Sequence, residues 1–389
     1  MDKTMHRKPS AHVSETRKVR EQARLGAMDL PFLMLTLLIT CIGLIMLFSA
    51  SYASSMQDNN GNATKVIVNQ ALFAAIGIAS MLLVSRIEYR FWQIFAPFLM
   101  LISVVFLILV PFIGTKVKGA RRWINLGFTS FQPSEVAKLA LIVLFASMIV
   151  VYKEKMKTFR YGVIPFAAIL LILAGLMVLQ PHLSGTVLLV CVGGAMMFLG
   201  GVPWGWFAGL FALGGGAGYM LTTVLPYAQS RIDLWRNPWT DPSDKGYQAI
   251  QSLYAIGSGG WFGLGLGNSR QKFLYLPEEH NDFIFAIVCE ELGLIGAILV
   301  LLLFSLLIIR GFWISLHAPD RFGSLVVAGI STLLALHMFF NVAVVTGLVP
   351  VTGISMPFFS AGGTSLIIQL VEMGIVLAVS RKIPAPKAG

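Results

Sequence analysis

The feature of this sequence that most constrains its fold is a succession of long apolar stretches. The hydrocarbon core of a bilayer is about 30 Å thick, and a helix takes roughly 20 residues to cross it. Hydrophobic residues make up 56% and charged residues 12% of the 389 residues, with a mean hydropathy of +0.78. This composition excludes an ordinary soluble domain, and continuous runs of helical length exclude a β-barrel of short alternating strands. We predict an all-α, polytopic membrane protein with ten transmembrane helices. They lie near residues 30–52, 66–85, 91–113, 133–152, 160–180, 183–201, 203–226, 282–310, 322–348 and 362–380.

The distribution of lysine and arginine predicts the orientation of these spans. Both tails and every second connection are basic, which places them in the cytoplasm by the positive-inside tendency. We predict a cytoplasmic tail at 1–28, a ten-helix domain at 29–382 with a large extracytoplasmic loop at 227–281, and a cytoplasmic tail at 383–389. No removable signal peptide is expected, because no cleavage site follows a short apolar core. The net charge of +11 follows from this bias and from attraction to anionic membrane lipid, so nucleic-acid binding is not expected.

One segment predicted to be external is basic, against that tendency. It carries Lys116, Lys118, Arg121 and Arg122, followed by Trp123, which suits the membrane interface. Arginine binds phosphate oxygens through a planar fork and lysine adds a point charge, so the segment could bind the diphosphate of a lipid headgroup. Contact with ordinary anionic lipid is the alternative.

The next segment indicates a helix start at the membrane boundary. Gln132 precedes Pro133, which suits a first helical position, and Glu135 lies in the first turn. Glu135 and Lys138 are three residues apart and therefore share one helix face. Ionisable groups in a span pair with one another or face water, so these two form either a structural clamp or part of a polar cavity.

The predicted loop at 227–281 ends in a glycine-rich run, residues 257–268. Glycines at this density let the backbone approach a ligand closely, or permit a tight re-entrant turn. Both alternatives stay open because no lysine follows in the manner of a P-loop.

Asp282 opens the eighth span and lies beside Glu279 and His280. A carboxylate at the water boundary can stay ionised while partly desolvated, which is the balance that a general base needs. The alternative is a carboxylate that only stabilises a helix N-terminus, worth about 0.3–1 kcal/mol. Glu290 and Glu291 lie roughly 12 to 14 Å deeper on a continuous helix. Without an obvious basic neighbour they are predicted to pack as hydrogen-bonded or ion-paired groups, with proton relay as the alternative.

Five segments, in this order, resemble the SEDS family (shape, elongation, division and sporulation), typified by FtsW, RodA and SpoVE. They are residues 118–124, 132–138, 275–285, 290–293 and 347–365. The resemblance covers all ten spans and is stronger to the FtsW/SpoVE branch. One motif departs from the family, since His182 stands where an aspartate is usual and Ser184 is an extra residue. We predict that His182 is a polar residue at a helix start.

The resemblance implies a bacterial multi-pass membrane enzyme, a peptidoglycan glycosyltransferase that polymerises lipid II at the outer face of the cytoplasmic membrane. It further implies a class B penicillin-binding protein as partner and a growing glycan strand as product. Asp282 would act as general base in an inverting reaction, and Lys118, Arg121 and Arg122 would bind the diphosphate. A divalent cation, Mg²⁺ or Mn²⁺, could share that charge, and no organic cofactor is expected. Further substrate contacts are assigned to Glu135, Lys138, Glu279, His280, Ser360, Gly362 and Gly363, and auxiliary roles to Trp123, Gln132, Glu290 and Glu291.

Two other classes of function remain open. A transporter could flip the lipid-linked precursor along a path lined by Lys138, Glu290, Glu291 and Glu372, although no pair of inverted halves is visible in the sequence. A scaffold that only recruits a synthase would make Asp282 dispensable.

Overall fold

The computed structural model describes residues 27–117, 120–125, 127, 130–209, 226–244 and 246–383. Within these residues the chain forms a bundle of apolar helices with a small sheet at one end. The helices are α1 Leu30–Asp58, α2 Lys65–Val84, α3 Arg90–Ile113, α4 Pro133–Tyr152, α5 Ile164–Leu179, α6 Leu183–Leu199, α7 Pro226–Arg236, α8 Tyr247–Gly259, α9 Ile284–Leu316, α10 Arg321–Val345 and α11 Gly363–Ser380. The strands are β1 Thr115–Val117, β2 Ala120–Asn125 and β3 Ser130–Phe131.

The predicted all-α membrane architecture is confirmed. Among the described residues, eight helices are long and apolar enough to cross a bilayer, and α6 is a shorter apolar helix. These nine correspond to nine of the ten predicted spans. The seventh, 203–226, lies outside the described residues over 210–225; residues 204–209 are helical and Pro226 begins α7. The predicted loop at 227–281 contains two helices, α7 and α8.

The start of α1 and the end of α11 lie together at one end of the bundle, which we call the terminal face. Asp29 caps α1 through the amide of Phe32 and also pairs with Arg310 at 2.8 Å. Asp320 caps α10 and accepts a hydrogen bond of 2.7 Å from the Tyr89 hydroxyl. An aspartate at a helix N-terminus satisfies otherwise unpaired amides. Each of these two also ties its helix to a neighbour.

Helices α2 and α3 follow one another in the chain but pack on different partners. α2 packs chiefly against α11, where Gly77 faces Leu370 and Gly374 faces Met81. α3 packs chiefly against α4. The two helices therefore make their main contacts with different neighbours rather than with each other.

Helix α9 is broken at Gly293, which has φ +68° and ψ −172°. The amides of Leu294 and Ile295 donate instead to the carbonyls of Gly260 and Trp261, at 2.9 and 3.2 Å. At about 1.5 Å per residue, the break lies roughly 14 Å along α9 from its start. Non-helical backbone at such depth needs partners within the protein. Residues 260–272, which follow α8, supply these partners. We call them the re-entrant segment, because they return to the depth of the break in α9.

The glycine-rich run makes this pairing possible. A Cβ on Gly263 would lie 2.1 Å from the Glu291 carbonyl oxygen, and one on Gly259 would lie 2.0 Å from the Cys289 carbonyl oxygen. The amide of Leu264 donates to the Glu290 carbonyl at 2.9 Å. These glycines therefore allow close approach to the chain's own helix, which is the re-entrant alternative raised from the sequence.

The small antiparallel sheet was not predicted. Its strand order is β1-β2-β3, with a register irregularity between Thr115 and Lys116. It connects α3 to α4 and places the basic segment on a hairpin at the end of the bundle opposite the terminal face. The strands are too short to give a periodic signal among the apolar spans.

We predict that Gly293→Ala destabilises the protein. A Cβ there would lie 2.3 Å from the Gly263 amide nitrogen, and this combination of φ and ψ costs a non-glycine residue about 1–3 kcal/mol before any clash. The measurement is the thermal unfolding midpoint in detergent. Gly175→Ala in α5 is the control, since no atom lies within 4 Å of its added Cβ. Equal midpoints for the two variants would contradict the close packing at the break.

Candidate functional site

Two loops join at the end of the bundle opposite the terminal face. The Ser360 hydroxyl donates to the Asn281 carbonyl at 2.7 Å, and the Ala361 amide donates to the His280 carbonyl at 2.9 Å. From α10, the Asn341 side-chain amide donates to two carbonyls, those of Asp282 at 2.8 Å and Ile354 at 2.7 Å. The loop before α9 and the loop before α11 are therefore fixed to each other and to α10.

Asp282 lies in a turn two residues before α9 and is half-buried. The Asp282 Oδ2 lies close to Gly353, which has no side chain. A Cβ on that glycine would lie only 2.9 Å from Oδ2. Gly353 also has φ +70°, which favours glycine. The carboxylate thus rests against backbone at the boundary of the bundle, where the sequence placed it.

Glu279 and His280 lie on the same turn. The His280 Nδ1 is 3.2 Å from Glu279 Oε1 and 3.3 Å from the Ser54 hydroxyl of α1. Glu279 is buried, with 4% of its surface exposed. Two acidic groups and an imidazole are therefore gathered near the first turn of α9.

Ser360, Gly362 and Gly363 join the second loop to its surroundings. The Ser360 hydroxyl accepts from the Met356 amide at 2.8 Å, and the Gly362 amide donates to the Gln70 side chain at 3.2 Å. Gly363 lies against Phe73 of α2. Ser360 therefore contacts the loop that carries Asp282, whereas Gly362 and Gly363 contact α2.

Glu135 and Lys138 form a buried ion pair of 2.8 Å, with side chains 11% and 5% exposed. Lys138 Nζ is also 2.9 Å from Nε2 of His337 on α10. These groups line a small cavity together with Glu372 of α11. The Glu135–Lys138 pair is therefore both of the alternatives raised from the sequence, a buried ion pair and part of a polar cavity. Gln132 precedes this helix and is buried, without a side-chain cap hydrogen bond.

The two arginines of the basic segment bind backbone carbonyls at the ends of helices. Arg121 Nη1 donates to the Pro111 carbonyl at 2.8 Å, near the end of α3. Arg122 donates to the carbonyls of Gln180 and Pro181, just after α5. Carbonyls at helix C-termini lack partners and attract cations. Lys118 lies outside the described residues. Trp123 is half-buried on β2.

His182 precedes α6, as predicted for a polar residue at a helix start, but its side chain makes no cap hydrogen bond. Its Nδ1 is buried and has no hydrogen-bond partner among the described residues. Burial, and then the positive charges of Arg122 and Lys138, lower the pKa of His182 to about 3. The imidazole is therefore neutral at physiological pH.

The sequence missed the basic partner of Glu291. Lys272 Nζ lies 3.0 Å from Glu291 Oε1, and the Ser49 hydroxyl of α1 donates to the same carboxylate at 2.6 Å. Glu290 accepts from the Ser269 hydroxyl and from the Arg270 amide, the latter at 3.0 Å. Both carboxylates are therefore hydrogen-bonded or ion-paired, as predicted, and the basic partner was not obvious in the sequence because the re-entrant segment returns Lys272 to the depth of Glu291.

Two features could have signalled the missed residues. Lys272 is a cation four residues after the glycine-rich run, and Asn341 is a polar side chain near the end of an apolar span. Polar groups at such positions ordinarily have a specific partner.

Among the described residues, no three His, Cys, Asp or Glu side chains converge on a possible metal site. A Mg²⁺ ion shared with a diphosphate needs only one or two carboxylates, so the divalent cation stays a prediction.

Comparisons with known proteins agree on one family. The sequence model described as cell cycle protein, FtsW/RodA/SpoVE, matches residues 29–384. Stage V sporulation protein E of Bacillus subtilis (strain 168) is 44% identical over 361 residues, 91% of this chain and 97% of that protein. A probable peptidoglycan glycosyltransferase FtsW of Trichlorobacter lovleyi is 39% identical over 369 residues, 93% of this chain and 95% of the relative.

Solved structures show the same fold. The rod shape determining protein RodA of Thermus thermophilus has a TM-score of 0.68 and 28% identity, covering 92% of this chain and 98% of that chain. A chain from a peptidoglycan synthase complex has a TM-score of 0.78 and 29% identity, covering 91% of this chain and 98% of its own. That complex is described as coordinating polymerization and crosslinking.

We predict that acid destabilises the protein partly through His182. Its pKa is lowered from 6.5 to about 3 on folding, so between these values the unfolded chain binds a proton that the folded chain does not. Stability is therefore lost as the pH falls below about 6.5, by roughly 1 kcal/mol per unit. The measurement is the unfolding midpoint at pH 7.5 and pH 5.5. His182→Asn should reduce the decline, and an unchanged decline would contradict this assignment.

Proposed function

Because the chain belongs to the FtsW/RodA/SpoVE family of cell cycle proteins, on its FtsW/SpoVE side, we propose that it is a peptidoglycan glycosyltransferase. We propose lipid II as its substrate and Asp282 as its general base. The observation that carries this proposal is the placement of Asp282, half-buried at the bundle boundary, with its carboxylate against Gly353 and its carbonyl held by Asn341.

The chemistry follows from that placement. The Asp282 carboxylate takes the proton of the 4-hydroxyl of the acceptor N-acetylglucosamine. The hydroxyl oxygen attacks the anomeric carbon of the donor sugar, and the bond from that carbon to the diphosphate breaks with inversion. A base positioned within hydrogen-bond reach of its proton contributes typically 10²–10⁴-fold to the rate. Asn341 supports this role because it restrains the backbone of the base.

The departing diphosphate needs positive charge. Arg121 and Arg122 lie on the hairpin at the same end of the bundle, and each donates to carbonyls at a helix end. A guanidinium carries five N–H donors, so it can bind a carbonyl and a phosphate oxygen together. We propose these arginines, with Lys118 beside them in sequence, as the diphosphate subsite. No step is assigned to a metal ion.

The packing of α2 and α3 on different partners supports a substrate that stays in the bilayer. A polyprenyl chain is apolar, and we propose that it lies against these two helices. We also propose that Asp282 faces the outside of the bacterial cytoplasmic membrane and that both chain ends face the cytoplasm. Arg90, Arg310 and Arg321 lie at the terminal face, in agreement with the positive-inside tendency.

A partner is proposed from the relatives. One similar chain belongs to a peptidoglycan synthase complex that coordinates polymerization and crosslinking. We propose that this chain likewise works with a class B penicillin-binding protein, which would crosslink the strand that it polymerises.

A lipid II transporter is the second candidate, because four ionisable side chains line one buried cavity. These are Glu135, Lys138, His337 and Glu372. A transporter moves lipid II across the bilayer without forming polymer. Proteoliposomes containing fluorescent lipid II distinguish the two, since polymerisation lengthens the glycan and transport only changes its accessibility.

We predict that Asp282→Asn abolishes polymerisation while leaving the protein folded. The amide keeps the shape of the side chain but cannot take a proton, so the rate should fall at least 10²-fold. The assay is purified protein with its partner and lipid II, with polymer read on a gel. Glu278→Gln is the matched control, because it removes a carboxylate from the same loop. Undiminished polymer from Asp282→Asn would exclude the base role, and translocation without polymer in wild type would favour the transporter.

We also predict that Arg122→Ala impairs use of lipid II more than Arg236→Ala does. Arg236 is an exposed arginine at the end of α7, outside the hairpin, so it controls for loss of one positive charge. A lipid II titration should show a higher KM for Arg122→Ala, and Arg122→Lys should recover part of it. Equal effects of the two alanine variants would argue against a localised diphosphate subsite.

A further inference from the structure

The break at Gly293 divides α9 into two parts. The first part, residues 284–292, is buried from Ile284 to Glu291 and begins two residues after Asp282. We call it the half-helix. Its position sets the position of the carboxylate, because only Phe283 separates the two.

The deep end of the half-helix is held by a charged cluster. Lys272 Nζ lies 3.0 Å from Glu291 Oε1 and 3.1 Å from the Ser49 hydroxyl, and that hydroxyl donates to Glu291. Lys272 is 2% exposed and Glu291 is 0% exposed. We call Lys272, Glu291 and Ser49 the Lys272 clamp. It ties the re-entrant segment and α1 to the half-helix.

Glu290 adds a second attachment to the same segment. Its carboxylate accepts from the amides of Arg270 and Gln271 and from the Ser269 hydroxyl. The described partners of Glu290 are neutral hydrogen-bond donors, whereas Glu291 has the Lys272 cation in addition to two neutral donors, the Ser49 hydroxyl and the Ser269 amide. The Lys272 charge is therefore what compensates Glu291, and a buried carboxylate without its cation is strongly unfavourable.

We propose that Lys272 is a positioning residue for Asp282, acting through Glu291 and the half-helix. This inference rests on the proposed glycosyltransferase function. Glu291 is nine residues from Asp282, about 13 Å along the helix, so the clamp is distant from the reacting atoms. It fixes where the half-helix lies between α1 and the re-entrant segment. A displacement of about 1 Å at a catalytic group can cost 10²-fold in rate.

The test is Lys272→Met, which keeps the length of the side chain and removes its charge. We expect kcat for lipid II polymerisation to fall about ten- to hundredfold while KM changes less than about threefold. The double variant Lys272→Met/Glu291→Gln removes both charges and should recover most of kcat, because no buried charge is then left unpaired.

Lys157→Met is the matched control. Lys157 pairs with Glu154 at 2.8 Å, but the two side chains are 70% and 84% exposed, so this variant and its double with Glu154→Gln should keep wild-type kcat. Should Lys272→Met fail to fold, Ser49→Ala weakens the clamp without a charge change and should lower kcat in the same direction.

The outcomes separate this inference from the proposed function. Wild-type kcat for Lys272→Met, a rise in KM alone, or no recovery in the double variant would each overturn the positioning role. Unchanged kcat for Ser49→Ala would do the same where Lys272→Met does not fold. If Asp282→Asn still polymerises lipid II, the proposed function fails whatever the Lys272 variants do.

Discussion

The structure depends on one constraint, that backbone groups released by a broken helix in a membrane must find partners without water. The break in α9 releases amides that bond to the carbonyls of Gly260 and Trp261. That pairing draws the glycine-rich run to the depth of Gly293, and the same segment then carries Lys272 to Glu291. A single glycine with positive φ thus accounts for the re-entrant segment, for the charged cluster in the core, and for a short half-helix behind Asp282.

The sequence predicted the spans well because bilayer thickness fixes their length. It also predicted the start of α4 at Pro133, where the missing proline amide costs nothing in the first turn. The sheet of β1, β2 and β3 and the break in α9 were not predicted. Both depend on pairing between short segments, and a hydropathy window of about 20 residues has no signal for them. The glycine-rich run was ambiguous for the same reason, since its partner is the backbone of another element.

Asp282 was singled out from its position at the start of a span and from the family resemblance, but the groups that hold it come from distant parts of the chain. Asn341 and Gly353 lie about 60 and 70 residues later, and only the fold brings Asn341 to the Asp282 carbonyl and Gly353 to its carboxylate. For Arg121 and Arg122 the residue types were informative but their partners were not predicted. Their residue types suggested a diphosphate ligand, yet their described partners are carbonyls at helix ends. Residue type predicts which chemistry a side chain can perform, whereas competing partners inside the protein appear only in three dimensions.

Two buried charged clusters lie on the two helices that restrain Asp282, each deeper in the bundle than the carboxylate. On α10, His337 lies one turn below Asn341 and contacts Lys138, which pairs with Glu135. On α9, Glu291 lies at the end of the half-helix and pairs with Lys272. Buried ion pairs rarely add stability over apolar packing of the same volume, but they are specific in distance and direction. Their location is therefore better explained by the need to fix the two helices relative to the carboxylate than by the stability of the bundle, which its apolar core already supplies.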